Sequence, residues 1–218
     1  MRRTIFIFVM FAALAHAPCA AAAAQSSRVV DRIVARIEGD IILESQVREL
    51  GALQQLIEDH AESDDKLLEE LIEQWVVGTE AAAAHFPEPA KSEIDRELAR
   101  LGEHFASPEN YASRLNELGL SPAQVRQLLR RQIYVERYID YKFRSTVQIE
   151  PEDIDSYYQK ELLPELAKTN QPAPAPAAVE GQIRELLVQR GISGQTVKWL
   201  DETKSRLKIE IETSSGKP

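Results

Sequence analysis

From Glu44 to Val147, apolar residues return at three- and four-residue intervals, a pattern that only a set of packed amphipathic helices can bury. The first stripe, opened by Glu44-Ser45, is Val47, Leu50, Leu53, Leu56 and Ile57. Asp64-Asp65 places acids at the start of a second, which carries Leu68, Leu71, Ile72, Trp75, Val76, Thr79, Ala83 and Phe86 before Pro87 and Pro89 stop it. A third holds Ile94, Leu98, Leu101 and Phe105. Ser107-Pro108 opens a short fourth with Tyr111, Leu115 and Leu118, closed by Gly119. Ser121-Pro122 pairs a capping residue with a first-turn proline and opens the longest helix. Running to about Val147, it spans roughly 40 Å at 1.5 Å per residue. Pro151 starts a further helix through Tyr157-Tyr158, whose end Pro164 weakens.

The two ends of this region switch to a period of two. In RIVARIEGDIILES (32–45), Ile33, Ala35 and Ile37 alternate with polar residues, Gly39-Asp40 marks a turn, and Ile41 to Leu43 follow as a second short run. Near the other end, Leu207, Ile209 and Ile211 alternate with Lys208, Glu210 and Glu212, a strand free to pair with that hairpin. Between them, KTNQPAPAPA (168–177) reads as an extended Pro/Ala linker. Ile183, Leu187, Arg190, Gly194, Val197, Leu200 and Lys204 then keep helical spacing, with a bend or break expected at Gly191 and Gly194. The fold expected is mainly α, with a small β-hairpin and sheet formed by the N- and C-terminal segments.

Residues 1–24 have a different character. Arg2 and Arg3 precede an apolar run from Ile5 to Leu14, Pro18 breaks it, and Ala22-Ala23-Ala24 satisfies the small-residue rule of a secretory cleavage site. The run is about half the roughly 20 residues a bilayer requires, so cleavage after Ala24 and export are expected rather than stable membrane insertion. Loss of this leader removes two of the 26 basic residues and none of the 35 acidic ones, taking the formal charge from −9 to −11. It also removes Cys19, Met1 and Met10, leaving a mature chain without sulfur. No disulfide, thiol nucleophile or cysteine metal site is then available. So acidic a chain is not expected to bind nucleic acid, where affinity comes mainly from neutralised phosphates.

No catalytic constellation stands out. His60, His85 and His104 lie on separate segments, and there is neither a G-x-S-x-G elbow nor a phosphate-cradling glycine loop. No cofactor or metal set is identified. Glu150, Glu152, Asp153 and Asp155 read as acids opening a helix. One pattern on the longest helix is less ordinary. At 100° per residue, Arg126, Arg130, Arg137 and Arg144 fall within a sector of roughly 40°, and Tyr134, Tyr138 and Tyr141 occupy the adjoining one. Val125, Leu129, Ile139, Phe143 and Val147 form the apolar side. Such an Arg–Tyr ridge suits contact with extended peptides. The alternative is that the arginines pair with acids of neighbouring helices while the tyrosines sit at the core boundary.

Several stretches, in order, resemble the SurA-type chaperone family of exported proteins. These are VVDRIVARIEGDIILESQV (29–47), LLEELIEQWVVGTEAAA (67–83) and ELARLGEHFASPENYASRLNELGLSPAQVRQLLRRQIYVERYIDYKF (97–143), followed by IEPEDIDSYY (149–158) and the pair VEGQIRELLVQ and KWLDETKSRLKIEI (179–211). Family members commonly carry parvulin-type prolyl isomerase domains between the Tyr-Tyr helix and the C-terminal helix. Here that interval is only residues 159–178, far short of the roughly 90 residues such a domain needs.

The sequence pattern and the resemblance together lead to five expected segments: a signal peptide (1–24), an N-terminal helical chaperone module (25–167), a Pro/Ala linker (168–178), a C-terminal helix and strand packing on the module (179–212) and a disordered tail (213–218). The resemblance implies a periplasmic, ATP-independent holdase binding unfolded or nascent exported polypeptides such as outer-membrane proteins, and the missing parvulin domain leads to the expectation of no enzymatic activity. The candidate peptide-binding residues are Arg126, Arg130, Tyr134, Arg137, Tyr138, Tyr141 and Arg144. Two alternatives stay open, a helical scaffold docking one folded envelope partner and a family member with residual isomerase activity. Homodimer formation also stays open.

Overall fold

The computed structural model describes residues 31–212; the expected leader and the 213–218 tail lie outside them. Strand β1 (Ile33–Ile37) turns through Glu38 and Gly39, both with positive φ (50° and 106°), into strand β2 (Asp40–Leu43). Two consecutive left-handed residues match the natural twist of a hairpin, and glycine takes the more demanding angle without cost. Strand β3 (Ile209–Ile211) joins the other side of β1, antiparallel, pairing Ala35 with Ile211 and Ile37 with Ile209. The sheet order is β2-β1-β3, so the two ends of the described chain meet in one sheet.

Between β2 and β3 the chain is helical: α1 (Glu44–Glu58), α2 (Asp64–Ala83), α3 (Lys91–Glu103), α4 (Pro108–Leu118), α5 (Pro122–Phe143), α6 (Pro151–Tyr157), α7 (Leu163–Lys168) and α8 (Pro176–Lys204). The punctuation works as its chemistry requires. Ser107 Oγ accepts a hydrogen bond from Asn110 N at 3.2 Å. Ser121 Oγ accepts from Gln124 N at 3.2 Å, while Ser121 N donates to Gln124 Oε1 at 2.9 Å, a reciprocal capping box. The mainly α architecture with a small antiparallel sheet from the two end segments is therefore the observed fold.

The core divides by contact partner. The hairpin packs on α1 and α2 through Ala35 and Ile37, both fully buried, and Ile72. Leu53, Leu115 and Val125 join α1, α4 and α5, and Val76, Tyr138 and Leu200 join α2, α5 and α8. A smaller cluster of Ile154, Tyr158 and Ile183 ties α6 to the first half of α8. Lys204 fastens the far end of α8 to α2 by hydrogen bonds to Glu69 and, at 2.9 Å, to Glu73.

Four details differ from the sequence expectation. Helix α5, expected to be the longest, ends as an α-helix at Phe143 and finishes in a single 3₁₀ turn over Arg144–Thr146, while α8, with 29 residues, is longer. Pro164 does not stop its segment. A π turn over Tyr158–Leu162 precedes it, and Pro164 enters α7 in the first turn, where its missing N–H needs no partner. The Pro/Ala linker is shorter than 168–178, because α7 runs to Lys168 and Pro176 already opens α8. Tyr158 Oη donates to Pro174 O at 2.6 Å and holds the connection against the helices.

Finally, α8 is unbroken through Gly191 and Gly194. At Gly191 it crosses the chain after α5 so closely that a Cβ would lie 2.6 Å from Val147 Cγ1. Here glycine is a contact residue rather than a breaker. Gly191→Ala is expected to lower stability by about 1 kcal/mol, the overlap exceeding alanine's helix advantage. In a Val147→Ala background the same change should become stabilising. Urea denaturation of the four proteins of this cycle checks the reversal.

Candidate functional site

Helix α5 is amphipathic enough to be buried on one side while offering its other sides to α3 and to a groove. Arg126, Arg130 and Arg137 project toward the segment joining α2 to α3 and the start of α3. Arg126 pairs with Asp95 at 2.7 Å, Arg130 with Glu88 at 3.0 Å, and Arg137 with Glu93 at 3.3 Å. Hydrogen bonds from Lys91 and then from Arg126 hold the Asp95 carboxyl below the usual carboxylate range. Arg144, about two turns past Arg137, pairs with Asp140 and with Glu185 of α8, both at 2.8 Å.

The tyrosines gather on Phe86, which the left-handed His85 (φ 54°) folds back from the end of α2. The Phe86 ring lies 5.9 Å from Tyr134, 5.4 Å from Tyr138 and 5.2 Å from Tyr141, and the Arg137 guanidinium lies 5.5 Å above it. Tyr138 is buried, and that burial, with the Glu80 charge behind it, pushes its phenol pKa up. Tyr134 Oη donates to Phe86 O at 3.3 Å, whereas Tyr141 is 68% exposed. The ridge is thus one surface, as the spacing implies, but each of its four arginines is engaged by an acid of the same chain. Only Arg130 and Tyr134 of the seven line the groove described next.

That groove lies where β2, α2 and α5 diverge and has a volume of about 450 Å³. Ile41 and Ile42 of β2 form one wall, Leu71, Trp75, Gly78, Thr79 and Ala82 of α2 the floor, and Arg130, Arg131, Tyr134 and Val135 of α5 the opposite wall. Each element contributes for a local reason. The tight hairpin leaves Ile41 44% exposed at the rim. Trp75 Nε1 donates to Asp40 Oδ2 at 2.9 Å, which ties the floor to the hairpin turn. Gly78 has nothing within 4 Å of where a Cβ would stand, so small side chains on α2 create the space. Pockets for bound groups typically measure roughly 300–1,000 Å³, and this one would hold a few side chains of an extended segment.

Sequence spacing does not single out Arg131. It sits roughly 20° beyond Tyr138 on the helix wheel, between the tyrosines and the apolar side, so it belongs to neither pattern. Yet it lines the groove, half-buried, and forms no ion pair or hydrogen bond among the described residues. The one sequence signal for it is the adjacent pair Arg130-Arg131, since two successive residues on a helix face different neighbours.

Among the described residues no group of histidine, aspartate and glutamate side chains is arranged to hold a metal ion, and no helix is long and apolar enough to cross a membrane. Compared with known proteins, the chain matches no family model and no curated protein.

The Arg144–Glu185 pair allows a direct pH test of the ridge's engagement. Hydrogen bonds from Arg144, then one from Gln189, lower the Glu185 pKa from 4.5 to about 2. A depressed carboxylate pKa stabilises the fold above 4.5, and that contribution is lost as pH falls through about 2. Wild type should therefore melt above Glu185→Gln at neutral pH, with the gap closing between pH 4.5 and about 2. Thermal melts of both proteins across this range check it.

Proposed function

We propose that this protein is an exported, ATP-independent holdase that keeps unfolded secreted or outer-membrane proteins from aggregating in the periplasm. The observation that carries the reading is the open groove between β2, α2 and α5. It offers an apolar floor and rim beside amide and guanidinium groups, without an enclosed cavity shaped for one small molecule. An extended polypeptide presents the same mixture, apolar side chains alternating with an unpaired backbone. The signal-like leader and the order of the family-like stretches supply the compartment and the class of client. On this reading the protein binds and releases without a chemical step, and its acidic charge keeps client complexes dispersed.

Two measurements test it. At stoichiometric amounts the mature protein should suppress light scattering by a denatured outer-membrane porin, and failure with several such clients would overturn the proposal. Gly78→Leu should fill the groove into open space, raising helix stability by up to about 1 kcal/mol while abolishing that suppression. A variant that is more stable and still fully active would place client binding elsewhere.

A further inference from the structure

The groove does not end at Arg131. A second recess of about 140 Å³, between α1 and α5, is lined by Gln46, Glu49, Gln124, Gln127, Leu128 and Arg131. Gln46 and Arg131 belong to both spaces, so the guanidinium stands at their junction. The other charged side chains lining the two are engaged. Glu88 is paired with Arg130 at 3.0 Å, and Glu49 Oε1 accepts from Gln124 Nε2 at 2.8 Å. Among the described residues, Arg131 alone of these has no partner. Acids of the chain engage three other arginines of the same helix, and Arg144 just past its end, but leave this one open, beside Val135, Leu128 and the floor around Trp75.

We infer that Arg131 is an anion subsite for the carboxylate of an aspartate or glutamate in a bound extended segment, one flanked by apolar residues. The inference rests on the proposed role of the groove in holding polypeptide. Guanidinium and carboxylate meet through two parallel hydrogen bonds, a charge-assisted geometry stronger than a neutral contact. Partial burial weakens screening by water and salt at this point. The apolar surfaces on either side then select the neighbours of the acid, which favours polypeptide over a small inorganic anion. Because the protein as a whole is acidic, its long-range field does not draw in an acidic segment, and recognition must come from the local pair.

The test uses the full mature chain and two end-blocked, fluorescently labelled heptapeptides. One carries a central glutamate between leucine and phenylalanine, the other glutamine in its place. The glutamate peptide should bind about tenfold more tightly by anisotropy. Arg131→Gln should abolish that difference, so that the two peptides bind it with equal affinity, and Arg131→Lys should restore part of it. Equal affinity of the two peptides for the unaltered protein overturns the subsite and leaves the groove reading standing. A difference that persists in Arg131→Gln assigns the preference to another residue and also overturns it. Binding of neither peptide overturns both. Since the unaltered protein supplies the first comparison, the inference stays decidable even if a variant fails to fold.

Discussion

Strand β1 is hydrogen-bonded along both edges, and the rest of the molecule is organised by that fact. Its pairing with β2 is local, closed by a two-residue turn. Its pairing with β3 joins segments separated by about 170 residues, and the entropic cost of closing so long a loop grows only logarithmically with its length. The closure therefore requires few interactions, and they bracket the short β1–β3 pairing at its two ends. Glu38 N donates to Lys208 O at 3.1 Å, Lys208 N donates back to Glu38 Oε1 at 2.6 Å, and Glu212 N donates to Val34 O at 2.9 Å. Ala35 and Ile37 lie wholly buried beneath them. With the sheet anchored, α8 must run back across α2 and α5, and β2 must stand at the mouth of the groove.

Helix α5 contributes at once to the core and to the groove. Its apolar side enters the core, and Arg126, Arg130 and Arg137 hold α3 and the loop before it. Ion pairs this exposed contribute little individually, typically under about 1 kcal/mol. Their effect is orientation: they set the angle at which the 86–95 segment lies on α5 and so complete the groove wall at Glu88. Phe86 adds aromatic contacts with three tyrosines at the same junction. The unpartnered Arg131 stands on the opposite flank of that arrangement.

Much of the fold is legible in the chain. The caps at Ser107 and Ser121 and the stripes of α1 through α5 follow from local spacing, and so does a hairpin turn at Gly39, although the turn residues are Glu38-Gly39 rather than Gly39-Asp40, because Asp40 already pairs in β2. The departures have local causes of another kind. Pro164 is tolerated because a π turn shifts the hydrogen-bond register ahead of it, and Pro176 begins a helix because a proline costs nothing in the first turn. Gly191 looks like a breaker until Val147 is seen beside it. The candidate site was only half legible: the alignment of arginines and tyrosines could be read from the wheel, but not what each one touches.

The sequence by itself determined which segments are helices and strands, because periods of 3.6 and 2 are properties of neighbouring residues. It also determined that two short strands at opposite ends were available to pair. Tertiary structure decided which arginine is left unpartnered. Arg130 and Arg131 are adjacent and chemically identical, yet one meets Glu88, 42 positions away, and the other meets no acid among the described residues. An ion pair depends on a distance of a few ångströms between residues of different elements. No pattern along a single helix encodes that distance until the helices are packed.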